Sequence, residues 1–295
     1  MLGVFRLHQP RTVEEASRLL AEYGPEAAVY AGGTELLPVM KERLVHFPHL
    51  IDIKTIPGLG GIAFDPGGRV LRIGAVATHR EIERAAVVRE RAPLLAELAA
   101  KVANVRVRAA GTIGGNLCFA EPHSDPAALL VAWGATLTLV STRGTREIAA
   151  GEFFVGLLAT AREHDEVLTE IRVPLPPAGS GVAYERFKTH ERPSAAVAAV
   201  VRVEEGAIAE ARVVVGSVGE RPTRVAGAEA LLRGERPGGE VFAAAADRVR
   251  DEVEPTEDAF ESGEYKRHLA RTMALRALTR AAGRAGGGEG GSDGG

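Results

Sequence analysis

The chain has 295 residues, of which 45% are hydrophobic and 25% charged, with a formal net charge of −3 and one cysteine, Cys118. This length allows two or three compact lobes. The net charge does not point to binding of nucleic acid or anionic lipid. A single cysteine excludes disulfides, cysteine-ligated zinc and iron–sulfur clusters held by this chain alone. No apolar run approaches the ~18–20 residues of a membrane span and residues 1–6 lack a signal-peptide core, so we expect a soluble, cytoplasmic protein.

Residues 1–55 predict a small lobe of strand, helix and strand. Thr12 and Glu15 have the spacing of a capping box at the start of the helix. Gly24 is expected to end that helix. Short strands are predicted at 27–30 and 50–53.

Residues 56–176 predict a second lobe. A hairpin over 62–64 and 70–75 turns at an Asp-Pro-Gly-Gly sequence. Thr78 and Glu81 repeat the capping-box spacing. The remaining predicted elements are a helix from Pro93 to about Val102, a buried apolar stretch at 126–133, a hairpin over 135–140 and 146–148, and a strand at 167–173.

A Pro/Gly-rich linker at 174–181 precedes a third region, residues 182–282. Antiparallel strands are predicted there at 182–187, 195–203 and 208–215. Helices follow at about 224–233, 240–251 and 264–282, and the Gly-rich tail at 283–295 is expected to be disordered. The order of elements predicts an α+β protein.

Two short glycine segments are the strongest functional signal. Glycine lets a backbone approach a ligand closely, so that successive N–H groups can converge on an anion. Neither segment has the G-x-G-x-x-G or P-loop spacing, and a Gly-Gly pair alone is also common in tight turns. Together they suggest a phosphate-bearing cofactor held from two sides by the residues Val29, Tyr30, Ala31, Gly32, Gly33, Thr34, Glu35, Leu36, Gly111, Thr112, Ile113, Gly114, Gly115 and Asn116.

Two charged residues have alternative interpretations. Asp125 precedes Pro126 and could cap the apolar helix that starts there, or accept hydrogen bonds from ribose or ribityl hydroxyls. Lys188 could be a solvated strand charge, or a cation opposite an electron-rich cofactor edge.

The histidines do not predict a catalytic or metal site. His46 and His49 are separated by Pro48 and lack a nearby pair of carboxylates, while His123 and His190 have no nucleophile in a recognisable setting. Cys118 is expected to be a small buried hydrophobe. The chain is therefore interpreted as a cofactor holder without catalytic or metal residues.

Segments 31–44 and 108–116 resemble the FAD-binding medium subunit or domain of molybdenum hydroxylases, the family of carbon monoxide dehydrogenase and xanthine dehydrogenase. The resemblance covers essentially 1–282. It implies a two-subdomain FAD-binding fold (PCMH/VAO type), with subdomains at 1–55 and 56–176. A C-terminal lobe of antiparallel sheet and helices, of the carbon monoxide dehydrogenase flavoprotein type, is implied at 182–282.

The resemblance also implies roles for particular residues. Segments 29–36 and 111–116 would surround the FAD diphosphate and ribityl chain, and Asp125 would bind its hydroxyls. Further cofactor contacts would come from Val102, Leu168 and Lys188. Some relatives have a tyrosine on the flavin near the position of Ser194, and this chain departs from that pattern.

The resemblance implies an electron-transfer subunit. Molybdopterin and two [2Fe–2S] clusters would lie on a large and a small partner subunit, in a dimer of heterotrimers. Electrons would pass from the clusters through FAD to an external acceptor, which could be NAD⁺, a quinone or dioxygen. The alternatives are a self-sufficient flavin oxidoreductase and a non-catalytic nucleotide-binding assembly module.

Valine at Gly114 or Gly115 is expected to displace the phosphate and abolish flavin binding without unfolding the chain.

Overall fold

The computed structural model of the chain describes residues 2–188 and 192–286, so His190 lies outside the described residues. The chain forms two compact units. The first comprises residues up to Glu121 together with Gly134–Leu175, and the second comprises Pro122–Trp133 together with residues from Pro176 onward. Residues Pro122–Trp133, which the sequence analysis places in the lobe over 56–176, group with the C-terminal unit.

The first unit begins with a parallel three-stranded sheet in the order β1-β3-β2. The predicted capping of its first helix is confirmed, because the Thr12 hydroxyl accepts a hydrogen bond from Glu15 N at 3.1 Å. Gly24, with φ of 52°, ends that helix. A helix that the sequence analysis did not predict follows the first glycine segment. The elements are β1 (Arg6–His8), α1 (Val13–Tyr23), β2 (Ala27–Tyr30), α2 (Leu36–Lys41) and β3 (His49–Asp52).

An antiparallel five-stranded sheet in the order β4-β5-β10-β6-β7 completes the first unit. The predicted capping box is confirmed: Thr78 Oγ1 accepts from Glu81 N, and Thr78 N donates to the Glu81 carboxylate at 2.7 Å. In chain order, the elements up to residue 174 are β4 (Ile62–Asp65), β5 (Val70–Gly74), α3 (His79–Arg84), α4 (Ala86–Arg91), α5 (Pro93–Ala100), α6 (Val105–Ala110), α7 (Ile113–Phe119), α8 (Asp125–Trp133), β6 (Thr136–Ser141), β7 (Gly144–Ala149), α9 (Ala150–Phe153), β8 (Phe154–Gly156), β9 (Ala159–Thr160) and β10 (Val167–Pro174).

The second unit contains α8 and an antiparallel four-stranded sheet in the order β11-β12-β13-β14. Residues 195–199 of the second strand are all buried, because the strand contacts α8 as well as α12. Burial on both faces explains the continuous run of small apolar residues. The elements are β11 (Ser180–Phe187), β12 (Ala195–Glu204), β13 (Ala207–Gly216), β14 (Thr223–Arg224), α10 (Ala226–Leu232), α11 (Gly239–Glu252) and α12 (Gly263–Gly286).

The last helix extends further than the sequence predicts. Because α12 continues to Gly286, the prediction of disorder is wrong for residues 283–286, while 287–295 lie outside the described residues. Among residues 2–188 and 192–286, no helix combines the length and apolar character needed to cross a membrane. The mixture of sheets and helices confirms the predicted α+β class.

Candidate cofactor site

A cavity of about 690 Å³ lies within the first unit and is lined by both glycine segments. Thirteen of the predicted site residues line it: Val29, Ala31, Gly32, Gly33, Thr34, Glu35, Leu36, Val102, Thr112, Gly114, Gly115, Asn116 and Leu168. Of the described residues predicted for the site, those outside its lining are Tyr30, Gly111, Ile113, Asp125 and Lys188. The fold thus brings four separate stretches of sequence to one cavity.

The first glycine segment lines the cavity and has unpaired backbone donors. The N–H groups of Gly32, Gly33 and Thr34 form no hydrogen bond with any described residue. The carbonyl of Gly33 accepts from Leu37 N at 3.0 Å and so opens α2. Successive unpaired backbone N–H groups in a loop can form an anion-binding concavity, and this segment can therefore bind a phosphate.

The second glycine segment uses its backbone donors internally. Ile113 N donates to Ala77 O and Gly114 N to Ala75 O, both at 2.9 Å. Gly115 N donates to Thr112 Oγ1 at 3.1 Å, as the N-cap bond of α7. The idea that N–H groups of both segments converge on one anion is therefore wrong for residues 113–115. This segment forms part of the cavity wall with its backbone surface and its side chains.

The glycines allow the two segments to touch. A Cβ on Gly32 would lie 2.3 Å from Ala110 O and 2.7 Å from Gly111 Cα, and a Cβ on Gly111 would lie 3.0 Å from Thr34 Oγ1. Real Cβ atoms do not come within 3.0 Å of such neighbours. The close approach of the two backbones therefore requires Gly32.

Gly114 and Gly115 have structural partners of their own. A Cβ on Gly114 would lie 2.6 Å from Ala75 O, and one on Gly115 would lie 2.8 Å from the capping hydroxyl of Thr112. Valine at either position would therefore strike the protein itself. At Gly114 the neighbour is backbone that cannot move freely, so we now expect Gly114→Val to destabilise the folded chain.

Gly33 is needed for a different reason. Its φ is +68°, in the left-handed region that favours glycine, and a Cβ there would lie 2.6 Å from the ring of Tyr30. The Tyr30 ring in turn lies under the ammonium group of Lys54, 3.8 Å from the ring centroid. Tyr30 thus supports the first segment without lining the cavity.

Arginines fix two other walls of the cavity. Arg108 Nη1 donates to the carbonyls of Val102 and Ala103 at 3.1 and 3.4 Å. Arg162 Nη1 donates to the carbonyls of Glu163, His164 and Glu166 at 3.0, 3.1 and 2.8 Å. These bonds hold the loops that carry the lining residues, so the arginines act as supports.

Glu166 is a buried carboxylate on the cavity wall with a structural partner. Burial alone would raise its pKa, but the bidentate hydrogen bonds from Arg146, at 2.6 and 2.8 Å, and the bond from Glu163 N hold that pKa below its ordinary value. Glu166 is therefore ionised and forms an ion pair with Arg146. Its contribution to the cavity is a fixed loop geometry.

His79 lines the cavity and was not selected by the sequence analysis. It is the first residue of α3 and only 2% exposed. Burial, and secondarily the nearby Arg108 charge, lowers the pKa of its imidazole to about 4. The capping box at Thr78 marked this helix start in the sequence, but only the fold reveals what surrounds the ring.

Asp125 and Lys188 belong to the second unit. The Asp125 carboxylate accepts from Tyr184 Oη at 2.7 Å and from Arg186, rather than from the start of its own helix. Burial raises the pKa of Asp125, with Arg186 and the Tyr184 hydrogen bond acting in the opposite direction. Lys188 is exposed and close enough to oppose that rise as well.

The structure gives the surroundings of three further sequence candidates. His49 Nδ1 lies 2.9 Å from His8 Nε2, and no group of three metal-ligating side chains occurs in the part of the chain that the structure describes. Cys118 lines the cavity as a free thiol that is only partly buried, so the prediction of a buried side chain is wrong. Loss of solvation still raises its pKa. Ser194 is buried and donates to Glu261.

Two family models match the chain. One, described as the FAD binding domain in molybdopterin dehydrogenase, matches residues 3–176. The other, described as the carbon monoxide dehydrogenase flavoprotein C-terminal domain, matches residues 182–281. Together these matches cover nearly the whole of the described chain.

Individual relatives agree with the family models. The carbon monoxide dehydrogenase medium chain of Hydrogenophaga pseudoflava is 38% identical over 93% of this chain and 96% of its own length. The caffeine dehydrogenase subunit beta of a Pseudomonas species is 32% identical over 92% of each chain. Both relatives are matched along almost their full length.

Solved structures show the same similarity in three dimensions. A structure of carbon monoxide dehydrogenase from H. pseudoflava superposes with a TM-score of 0.92, at 38% identity, covering 96% of this chain and 99% of that one. Quinoline 2-oxidoreductase from Pseudomonas putida gives a TM-score of 0.89 at 28% identity, covering 97% and 99%. The two-part FAD-binding and C-terminal architecture is thereby confirmed. This chain belongs to the family of FAD-binding medium subunits of molybdenum-containing dehydrogenases.

Proposed function

We propose that this chain binds FAD in the cavity of its first unit and passes electrons from a molybdenum-containing partner to an external acceptor. One observation carries the location of the site. The two glycine segments meet at a single cavity, where three successive N–H groups of the first segment lack partners among the described residues. Such donors suit an anionic diphosphate.

The cavity also fits the rest of the cofactor. Its volume of about 690 Å³ falls within the roughly 300–1,000 Å³ typical of small-molecule sites. Its apolar wall includes Leu36, Val39 and Leu168, against which a planar ring can pack. A lining that combines polar residues such as Thr34 and Asn116 with apolar residues suits a dinucleotide that has aromatic rings and a diphosphate.

We assign the following roles to the chain's own residues. The N–H groups of Gly32, Gly33 and Thr34 bind the diphosphate, and the second glycine segment shapes the opposite wall. Val102 and Leu168 contact the cofactor's rings. Bound FAD supplies the two-electron redox chemistry, and no side chain of this chain needs to act as a general acid or base.

Asp125 and Lys188 remain part of the proposal on the strength of the family resemblance. The carboxylate of Asp125 already accepts hydrogen bonds from Tyr184 and Arg186. Each carboxylate oxygen has a second lone pair, so one further hydroxyl donor can still bind. Lys188 would contribute a positive charge beside it.

The proposed partners are a large molybdopterin subunit and a small subunit with two [2Fe–2S] clusters. Support comes from relatives that are a medium chain and a subunit beta of dehydrogenases. A dimer of heterotrimers and a cytoplasmic location are also part of the proposal. The substrate is selected by another subunit in such a complex. The candidate electron acceptors are NAD⁺, a quinone and dioxygen.

Purification of the full chain tests this proposal. We expect a yellow protein that releases FAD on denaturation and does not oxidise soluble substrates by itself. Turnover without any partner would favour a self-sufficient flavin oxidoreductase. A colourless protein that binds ADP but not FAD would favour a nucleotide-binding assembly module.

A further inference from the structure

His79 is a buried polar side chain on the cavity wall whose ring has no hydrogen-bond partner. It is 2% exposed and lines the cavity. Its Nδ1 is fully buried without a partner, and no described residue bonds to either ring nitrogen. Buried polar groups in folded proteins are almost always hydrogen-bonded. Because Nδ1 is enclosed by the protein, Nε2 is the ring nitrogen through which His79 can bond to a ligand in the cavity.

The position of His79 indicates which part of a ligand it meets. Its backbone N–H donates to Gly111 O at 3.0 Å, and its ring Cδ2 lies 3.5 Å from where a Cβ on Gly111 would be. That same Cβ position is 3.0 Å from Thr34 Oγ1. The ring therefore adjoins the junction of the two glycine segments.

The surroundings of His79 favour an uncharged ring. Burial and the Arg108 guanidinium together lower the pKa of the imidazole to about 4. Arg108 itself is held by the carbonyls of Val102 and Ala103 and lies 3.4 Å from the Glu83 carboxylate. At neutral pH the ring thus carries one N–H donor and one acceptor nitrogen.

We propose that His79 is a cofactor-binding residue whose neutral imidazole donates a hydrogen bond to a diphosphate oxygen of FAD. The inference rests on the proposed function, since it requires the cofactor to lie in this cavity. If position 79 had only a structural role, a leucine of similar size would stabilise the fold better than histidine, because a buried donor without a partner destabilises the protein.

Binding and stability measurements on the flavin-free full chain test this role. We compare wild type with His79→Leu, His79→Gln and the surface control His268→Leu, using FAD, ADP and riboflavin as ligands. We expect His79→Leu to weaken FAD and ADP binding about tenfold and to leave riboflavin binding unchanged. Its thermal unfolding temperature without ligand should stay the same or rise. His79→Gln, which keeps a donor, should recover part of the affinity, and His268→Leu should behave as wild type.

Several results would overturn the inference, and they separate it from the proposed function. A wild-type chain that does not bind FAD would remove both. Normal FAD affinity in His79→Leu would remove the role of His79 alone. Weaker FAD and riboflavin binding with unchanged ADP binding would place its partner outside the diphosphate. A lower unfolding temperature in both His79 variants, with equal loss of all ligands, would make His79 a structural residue.

Discussion

The two glycine segments have similar compositions but differ in whether their backbone N–H groups have hydrogen-bond partners within the protein. In the first segment, Gly32, Gly33 and Thr34 keep their donors free of other described residues. In the second, Ile113 and Gly114 donate to carbonyls of the chain after β5, and Gly115 donates to the cap of α7. Similar motifs can therefore have different purposes: one presents donors to a ligand, and the other allows backbones to pack.

The largest expected effect separates packing from binding. Gly114→Val would force a side chain against Ala75 O, which a Cβ would approach to 2.6 Å. We expect the free energy of unfolding to fall by about 3 kcal/mol or more, as measured by urea denaturation of the flavin-free chain. The matched control Gly60→Ala, whose Cβ would meet only Val76 at 3.6 Å, should be close to wild type. A stable Gly114→Val chain that has lost only flavin binding would support the original expectation that valine at Gly114 displaces the phosphate without unfolding the chain.

The pH dependence of stability tests whether the junction of the segments is buried. The imidazole of His79 has a pKa lowered from 6.5 to about 4 in the folded chain, so folding favours its neutral form. Above pH 6.5 the ring is neutral in both the folded and the unfolded chain, and the free energy of unfolding has its full value. As the pH falls toward 4, the unfolded chain binds a proton first, and the free energy of unfolding decreases. That difference, at roughly 1.36 kcal/mol per pKa unit, corresponds to about 3 kcal/mol. Urea denaturation between pH 7 and 4 should show wild type losing stability relative to His79→Leu, so that the two stability curves diverge toward low pH. Parallel curves would indicate a solvated ring.

Gly32→Ala tests the contact between the segments. A Cβ there would lie 2.3 Å from Ala110 O, so the segments must separate and the donors of the first segment must move. We expect the Kd for FAD to rise about a hundredfold, which corresponds to about 2.7 kcal/mol, in a titration followed by flavin fluorescence. Gly60→Ala again serves as the control. Unchanged affinity would mean that the ligand does not depend on this contact.

A pair of threonine variants gives the smallest and most direct comparison. Thr112 caps α7 through its hydroxyl, so Thr112→Ala should cost about 1 kcal/mol of stability. The hydroxyl of Thr34 bonds to no described residue, so Thr34→Ala should leave stability unchanged and weaken FAD binding several-fold. Urea denaturation and fluorescence titration on both variants measure the contrast. Equal effects of the two changes on stability would show that the segments are alike after all.

Local signals in the sequence predicted much of the framework. The capping boxes at Thr12 and Thr78 marked two helix starts, and the glycine segments marked the cavity. The paired donors of the second segment could not be predicted, because their acceptors, Ala75 and Ala77, are distant in sequence and become neighbours only when the fold forms. The start of α7 at Ile113 was missed for a different reason: the Gly114-Gly115 pair in its first turn lowers helix propensity.

The partners of individual polar side chains were also beyond sequence reasoning. His79 stands at an ordinary helix start, and nothing in its neighbourhood along the chain shows that its ring is buried. Asp125 was predicted either to cap a helix or to bind a ligand, while the structure joins it to Tyr184 and Arg186. Such pairings depend on long-range packing, which a single sequence does not encode in a readable pattern.

The placement of α8 has a consequence for how the protein is made. All nine residues of Asp125–Trp133 are buried, and the helix contacts β12 and β13. Both strands leave the ribosome after α8 does. During synthesis the apolar residues 126–133 therefore stay uncovered until the sheet has formed. A polypeptide cut near residue 176 would keep α8 without that sheet, so we expect it to aggregate, although a family model ends at this position.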